Sequence, residues 1–184
     1  MHITLGKASE DEHFKQILQL QRENLYNRIS EDQQEQQGFV FAEHTIELLK
    51  TMAAELPQVI ALNNNKVIGY NLAMTSDMKT QLPSLIPMFA EFEKCTYKGQ
   101  PLVSYNFIVG GQVCVSKDFR GHGLLAKLYH ETRDQLPSGY RLCVTEVSVR
   151  NSKSLRIHEK MGFEVIGTYH DGVELWNIIA WDLG

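Results

Sequence analysis

The segment Phe119, Arg120, Gly121, His122, Gly123, Leu124 has the residue types and spacing for the most specific chemistry in this sequence. It lies between an apolar, β-rich run ending at Val115 and a helical pattern opening near Gly123. A helix start leaves about four backbone N–H groups unpaired, and the macrodipole adds roughly half a positive charge, so an anion is favoured there. Glycine at 121 and 123 removes side chains that would hold a pyrophosphate away from the backbone. Leu124, Leu125, Leu128 and Leu136 tie the following helix to a core. A glycine turn ahead of a helix is the plain alternative for such a match taken alone. Two other nucleotide motifs fit worse: there is no Gly-Lys-Ser/Thr ending, and no third glycine beside a first strand with an acid further on.

Glu146 is the second chemical feature. By strand alternation it shares a face with Val144 and Ser148, and a carboxylate in an apolar strand needs a reason to be there. It is either a general base or one half of an ion pair with Arg141 or Arg150. Cys114 is a weaker candidate, because a thiol needs a neighbouring base or cation to become a nucleophile and none stands near it in sequence.

The elements that must position these residues read as mixed α/β. Residues 2–7 alternate as a strand, and Ser9 with Glu12 predicts a capping box before a helix carrying Phe14, Ile17, Leu18 and Leu25. Residues 30–38 are polar and without period, which predicts a loop, and 45–56 is helical until Pro57. Two β-rich runs, 58–62 and 66–74, flank Asn63, Asn64 and Asn65, a hairpin signal. Residues 76–105, with Pro83, Pro87 and Pro101 around a helical stretch at 85–94, read as an insertion between the third and fourth strands. Then follow a strand to Val115, a helix over 123–136, a strand over 141–149, a helix over 152–161 and strands over 164–170 and 174–181.

Residues 115–124 resemble motif A of the GCN5-related N-acetyltransferases. Residues 151–163, from Asn151 through Ser154 and His158 to Gly162 and Phe163, are similar to that family's second signature. Two separated motifs in the required order are far harder to obtain by chance than one. There are two departures: Leu125 stands where the family has a small residue, and His158 where it often has a tyrosine. The resemblance implies a splayed, mostly antiparallel sheet of about seven strands with helices on both faces. It implies acetyl-CoA as cofactor, held by Arg120, Gly121, His122, Gly123, Leu124 and Leu125, with the pantetheine arm pairing against Val113, Cys114 and Val115. Asn151 would reach that arm or cap the next helix. Glu146 falls where ribosomal-protein acetyltransferases of this family carry a proposed base, and His158 takes the place of the acid that protonates the leaving sulfur. Phosphinothricin-type acetyltransferases show a similar histidine-containing segment. The implied reaction is acetyl transfer to a primary amine of a small molecule or amino acid; a protein N-terminus or lysine, or a silent coenzyme A sensor, are the rivals.

Composition narrows the classes. A chain of 184 residues, 43% hydrophobic, with a net charge of -4, suits one globular domain over 1–184. It has no basic stripe for nucleic acid, and neither a signal-peptide-like start nor an apolar run of about 20 residues, so no membrane partner and a cytoplasmic location are expected. Three cysteines without paired spacing give neither a disulfide framework nor a metal site. A homodimer is compatible with this composition.

Overall fold

Asn64 and Asn65 take positive φ angles of 50° and 61°, as residues that tolerate left-handed backbone allow. They close the hairpin between β2 (Val59–Asn63) and β3 (Lys66–Met74). The computed structural model describes residues 2–82 and 85–184; Pro83, one of the prolines singled out in the insertion, lies outside the described residues. The chain, expected from sequence as one domain, groups by its contacts into two compact units, Met1–Ala73 with Gly111–Leu136 and Met74–Gly110 with Pro137–Gly184. The segment 76–105 falls wholly in the second.

In the first unit, β1 (Ile3–Lys7) pairs antiparallel with β2, from Ile3↔Asn63 to Lys7↔Val59. Val59, Ala61, Ile68, Val115, Leu124 and Leu128 form one buried cluster, which seats the helix after the glycine loop against the strands. Helix α1 (Asp11–Arg22) begins one residue later than the Ser9 cap predicted. Glu10 accepts from the N3 backbone amide, and the His13 ring accepts from the Glu10 amide, so Glu10 and His13 make the capping box. A second correction concerns residues 30–38, predicted as a loop. They form α2 (Glu31–Gln37), whose reciprocal cap is Ser30 with Gln33. Periodicity missed this helix because its sequence is polar on every face. Helix α3 (Ile46–Glu55) starts on a Thr45 cap.

In the second unit, α4 (Ile86–Phe92) and a two-residue hairpin, β4 (Thr96–Tyr97) with β5 (Gln100–Pro101), build the insertion. Strand β6 (Phe107–Val115) begins there, running parallel to β7 (Leu142–Ser148) through Phe107↔Leu142, Ile108↔Cys143 and Val109↔Val144. At the next position the Thr145 hydroxyl, 2.7 Å away, donates to the Gly110 carbonyl, so a side chain takes the place of a ladder bond. A Cβ on Gly110 would meet Thr145 Cβ at 3.2 Å, and glycine there lets the threonine in. β7 pairs antiparallel with β9 (Leu175–Asp182) over its full length, and β8 (Glu164–His170) flanks β9. The seven strands follow the order β1-β2-β3-β6-β7-β9-β8, the mostly antiparallel mixed α/β sheet expected.

Candidate active site

The glycine loop leaves its backbone uncovered where the next helix begins. Gly123 caps α5 (Leu124–Gln135) in the left-handed region, φ 69°, and no side chain caps the helix. Gly121 has φ 82°, and a Cβ built on either glycine meets nothing within 4 Å. Gly121, His122 and Gly123 are exposed while Leu124 is buried. Among the described residues no side chain bonds to the first-turn amides as a cap, so these backbone groups are the ones that could hold an anionic pyrophosphate.

Arg120 does something other than its sequence position suggests. Its Nε donates to the Val115 carbonyl at 2.9 Å, Nη1 to the Gln37 carbonyl and side-chain oxygen at 3.3 and 3.1 Å, and Nη2 to Asn24 Oδ1. The guanidinium thus ties the end of β6 to the segment around α2, and its backbone remains to serve the loop. Arg120→Ala should unfasten residues 24–38 and lower stability by about 1–3 kcal/mol, since charged hydrogen bonds are lost. Faster amide hydrogen exchange across that segment checks it.

Val113 is half-buried and Cys114 and Val115 are buried. Burial pushes the Cys114 thiol up to about 12, so it carries no thiolate at neutral pH. Just before them Gln112 anchors a polar network that sequence reading missed. Its Oε1 accepts from Tyr70 at 2.6 Å and from Gln21 at 2.7 Å, and its Nε2 donates to the Ala42 carbonyl at 2.8 Å. Gln21 also accepts from the His44 amide at 2.9 Å and lies 2.7 Å from His44 Nδ1. Burial holds His44 down at about 4, so its ring is neutral. Two glutamines carry no chemical signature until the fold brings them together.

In the second unit the ion-pair alternative for Glu146 fails on geometry. Arg150 is committed to Glu174, with contacts of 3.0 and 2.6 Å that Ser148 completes at 2.9 Å, and Arg141 reaches Asp182 at 3.8 Å. Glu146 instead accepts from the Tyr169 phenol at 2.6 Å through Oε2, and among the described residues no partner for Oε1 is found. Burial raises its carboxyl to about 7, against the lowering effect of Tyr169. Tyr169 itself was not singled out by sequence; strand alternation alone does not show what a β8 side chain reaches.

Asn151 caps α6 (Ser152–Lys160), its Oδ1 accepting from the Ser154 amide at 3.4 Å. His158 is buried, its Nδ1 lies 2.8 Å from the Ser154 carbonyl, and its ring packs edge-on against Phe163. A carbonyl only accepts, so Nδ1 holds the proton of the neutral ring. The acid role expected for His158 then requires the imidazolium, which burial disfavours. The insertion aromatics Phe89, Phe92 and Tyr105 line a cavity of about 210 Å³ together with Lys79 and Glu93.

Comparison with known proteins gives these features a common frame. The Acetyltransferase (GNAT) family matches residues 14–163. No curated protein matches the sequence. Among solved structures, the NatC complex bound to Gag peptide and CoA is similar at a TM-score of 0.65 and 17% identity, covering 100% of both chains. An N-acetyltransferase from Staphylococcus aureus Mu50 is similar at 0.63 and 18%, again over 100% of both. A protein from Salmonella typhimurium, solved with its cofactor acetyl-CoA, is similar at 0.62 and 15%, covering 100% of this chain and 95% of its own. The family match spans most of the sequence, and the chain belongs to the GNAT family of acetyl-CoA-dependent acetyltransferases.

Proposed function

We propose that this protein transfers acetyl from acetyl-CoA to the primary amine of a small molecule or amino acid, with Glu146 as the general base. The observation that carries the reading is the Glu146 carboxylate: it has no cationic partner among the described residues, and it is held near neutrality at about 7. A primary ammonium in water has a pKa near 10.4, so the acceptor must lose a proton to become nucleophilic. A base poised near the working pH takes that proton at the least cost. Acetyl-CoA supplies the thioester: the amine nitrogen bonds to its carbonyl carbon, the C–S bond breaks, and the thiolate leaves with the electron pair. The backbone amides of residues 121–125 would hold the pyrophosphate, and the β6 backbone over Val113, Cys114 and Val115 would align the pantetheine arm.

The leaving thiolate has a parent pKa near 8.5, so solvent can protonate it without a dedicated acid. For that reason His158→Phe should keep the shape of the pH–rate profile. A falling alkaline limb in the parent protein that vanishes in this variant would restore His158 as the acid. The likeness to the NatC complex bound to Gag peptide supports a second reading, in which the amine belongs to a peptide or protein. Mass-spectrometric detection of acetylated product from amino acids, small amines and short peptides, each with acetyl-CoA, separates the two. Tight acetyl-CoA binding with no product from any amine would overturn both in favour of a sensor.

A further inference from the structure

We propose that Tyr169 is a positioning residue for this reaction: its phenol, 2.6 Å from Glu146 Oε2, pins one carboxylate oxygen and leaves Oε1 to take the amine proton. The inference rests on the reading of Glu146 as base. Opposite residues of paired strands share a face, and Tyr169↔Trp176, Trp176↔Ser148 and Ile178↔Glu146 place Tyr169 and Glu146 on one side of the sheet. Strand β9 lies between them, so the contact spans two strand spacings, about 10 Å between backbones. A tyrosine side chain covers this distance diagonally and delivers its hydroxyl at the far end.

The groups facing the pair make its direction unambiguous. On β9 the residue opposite Glu146 is Ile178, which is apolar. The turn after β8 brings the Asp171 charge to bear on both residues, but its oxygens accept from the Val173 and Glu174 amides and from Trp176 Nε1. Glu91 of α4 also acts on Tyr169 and is itself paired with Lys94 at 2.6 Å. Among the described residues every other charge that bears on the pair is negative, and Arg141 and Arg150 are engaged elsewhere, so the phenol is the group that stabilises the ionised carboxylate. Burial and Glu146 hold Tyr169 well above the usual phenol range, so it stays a donor throughout the working pH. A phenol O–H on Oε2 excludes a proton from that oxygen, and the incoming proton is directed to Oε1.

The test follows the carboxyl itself and needs no acceptor. Carbon-13 glutamate labelling of the full chain, with the resonance identified by its loss in Glu146→Gln, should give a midpoint near 7 in the parent protein. In Tyr169→Phe that midpoint should rise by about one pH unit, the scale of one hydrogen bond to a charged group. Placing 3,5-difluorotyrosine at 169 strengthens the donor and should move it the opposite way. A midpoint that stays put in either folded variant overturns the anchoring role. Undiminished turnover in Glu146→Gln, with any amine that the parent protein acetylates, overturns the base reading separately, whatever the titration shows.

Discussion

Gly123→Val is expected to lower acetyl-CoA affinity by about 10- to 30-fold in a protein that still folds. Two costs combine. A β-branched residue at φ 69° is strained by roughly 1–3 kcal/mol. Its side chain would also fill space that is open beside Gly123 at the start of α5, where the attraction for an anion is worth up to about 2 kcal/mol. Titration calorimetry reads the result directly. Gly99→Val is the control: Gly99 has φ 78° and open space around it, in the β4–β5 turn. It should show the strain as a lower melting temperature and leave cofactor affinity unchanged. Retained affinity in folded Gly123→Val would falsify the phosphate-loop assignment.

Glu146→Gln should reduce turnover by about 10²- to 10⁴-fold while acetyl-CoA affinity is unchanged, since a general base contributes on that scale. A base works when deprotonated, so the parent rate should climb with pH through about 7 and this limb should disappear in the variant. Stability should move the other way. The Glu146 carboxyl has a folded pKa of about 7, above the ordinary glutamate value of 4.5 that it takes in the unfolded chain. Below 4.5 both states hold the proton and the group is neutral in its effect. Between the two values the unfolded chain ionises first, so folding is increasingly opposed, and above 7 the penalty levels off at about 3–4 kcal/mol. Glu146→Gln should therefore raise the melting temperature at pH 8 and leave it nearly unchanged at pH 4. A variant that loses both activity and stability at pH 8 would point to a structural role instead.

Much of this was legible from local sequence. The Asn64 and Asn65 hairpin and the helix that opens at Gly123 depend on neighbouring residues, and short-range rules suffice for them. Helix α2 escaped because its polar faces give no period, although Ser30 and Gln33 carried the cap. The α1 cap shifted from Ser9 to Glu10 because a His13 ring nitrogen can accept from the backbone as a glutamate would, and cap rules do not weigh that residue.

What the sequence by itself determined was the fold class, the family, and the place of the glycine loop at a helix start, because periodicity, turn residues and motif order are properties of contiguous chain. Only the tertiary structure decided who meets whom. Arg150 could pair with Glu146 or with Glu174, and strand pairing gave it Glu174. Arg120 could face a phosphate, and its hydrogen bonds to Asn24 and Gln37 turned it inward. Glu146 found Tyr169, 23 residues away, across an intervening strand. A carboxylate's proton affinity depends on burial and on the charges within a few ångströms, and those distances exist only once the strands have paired.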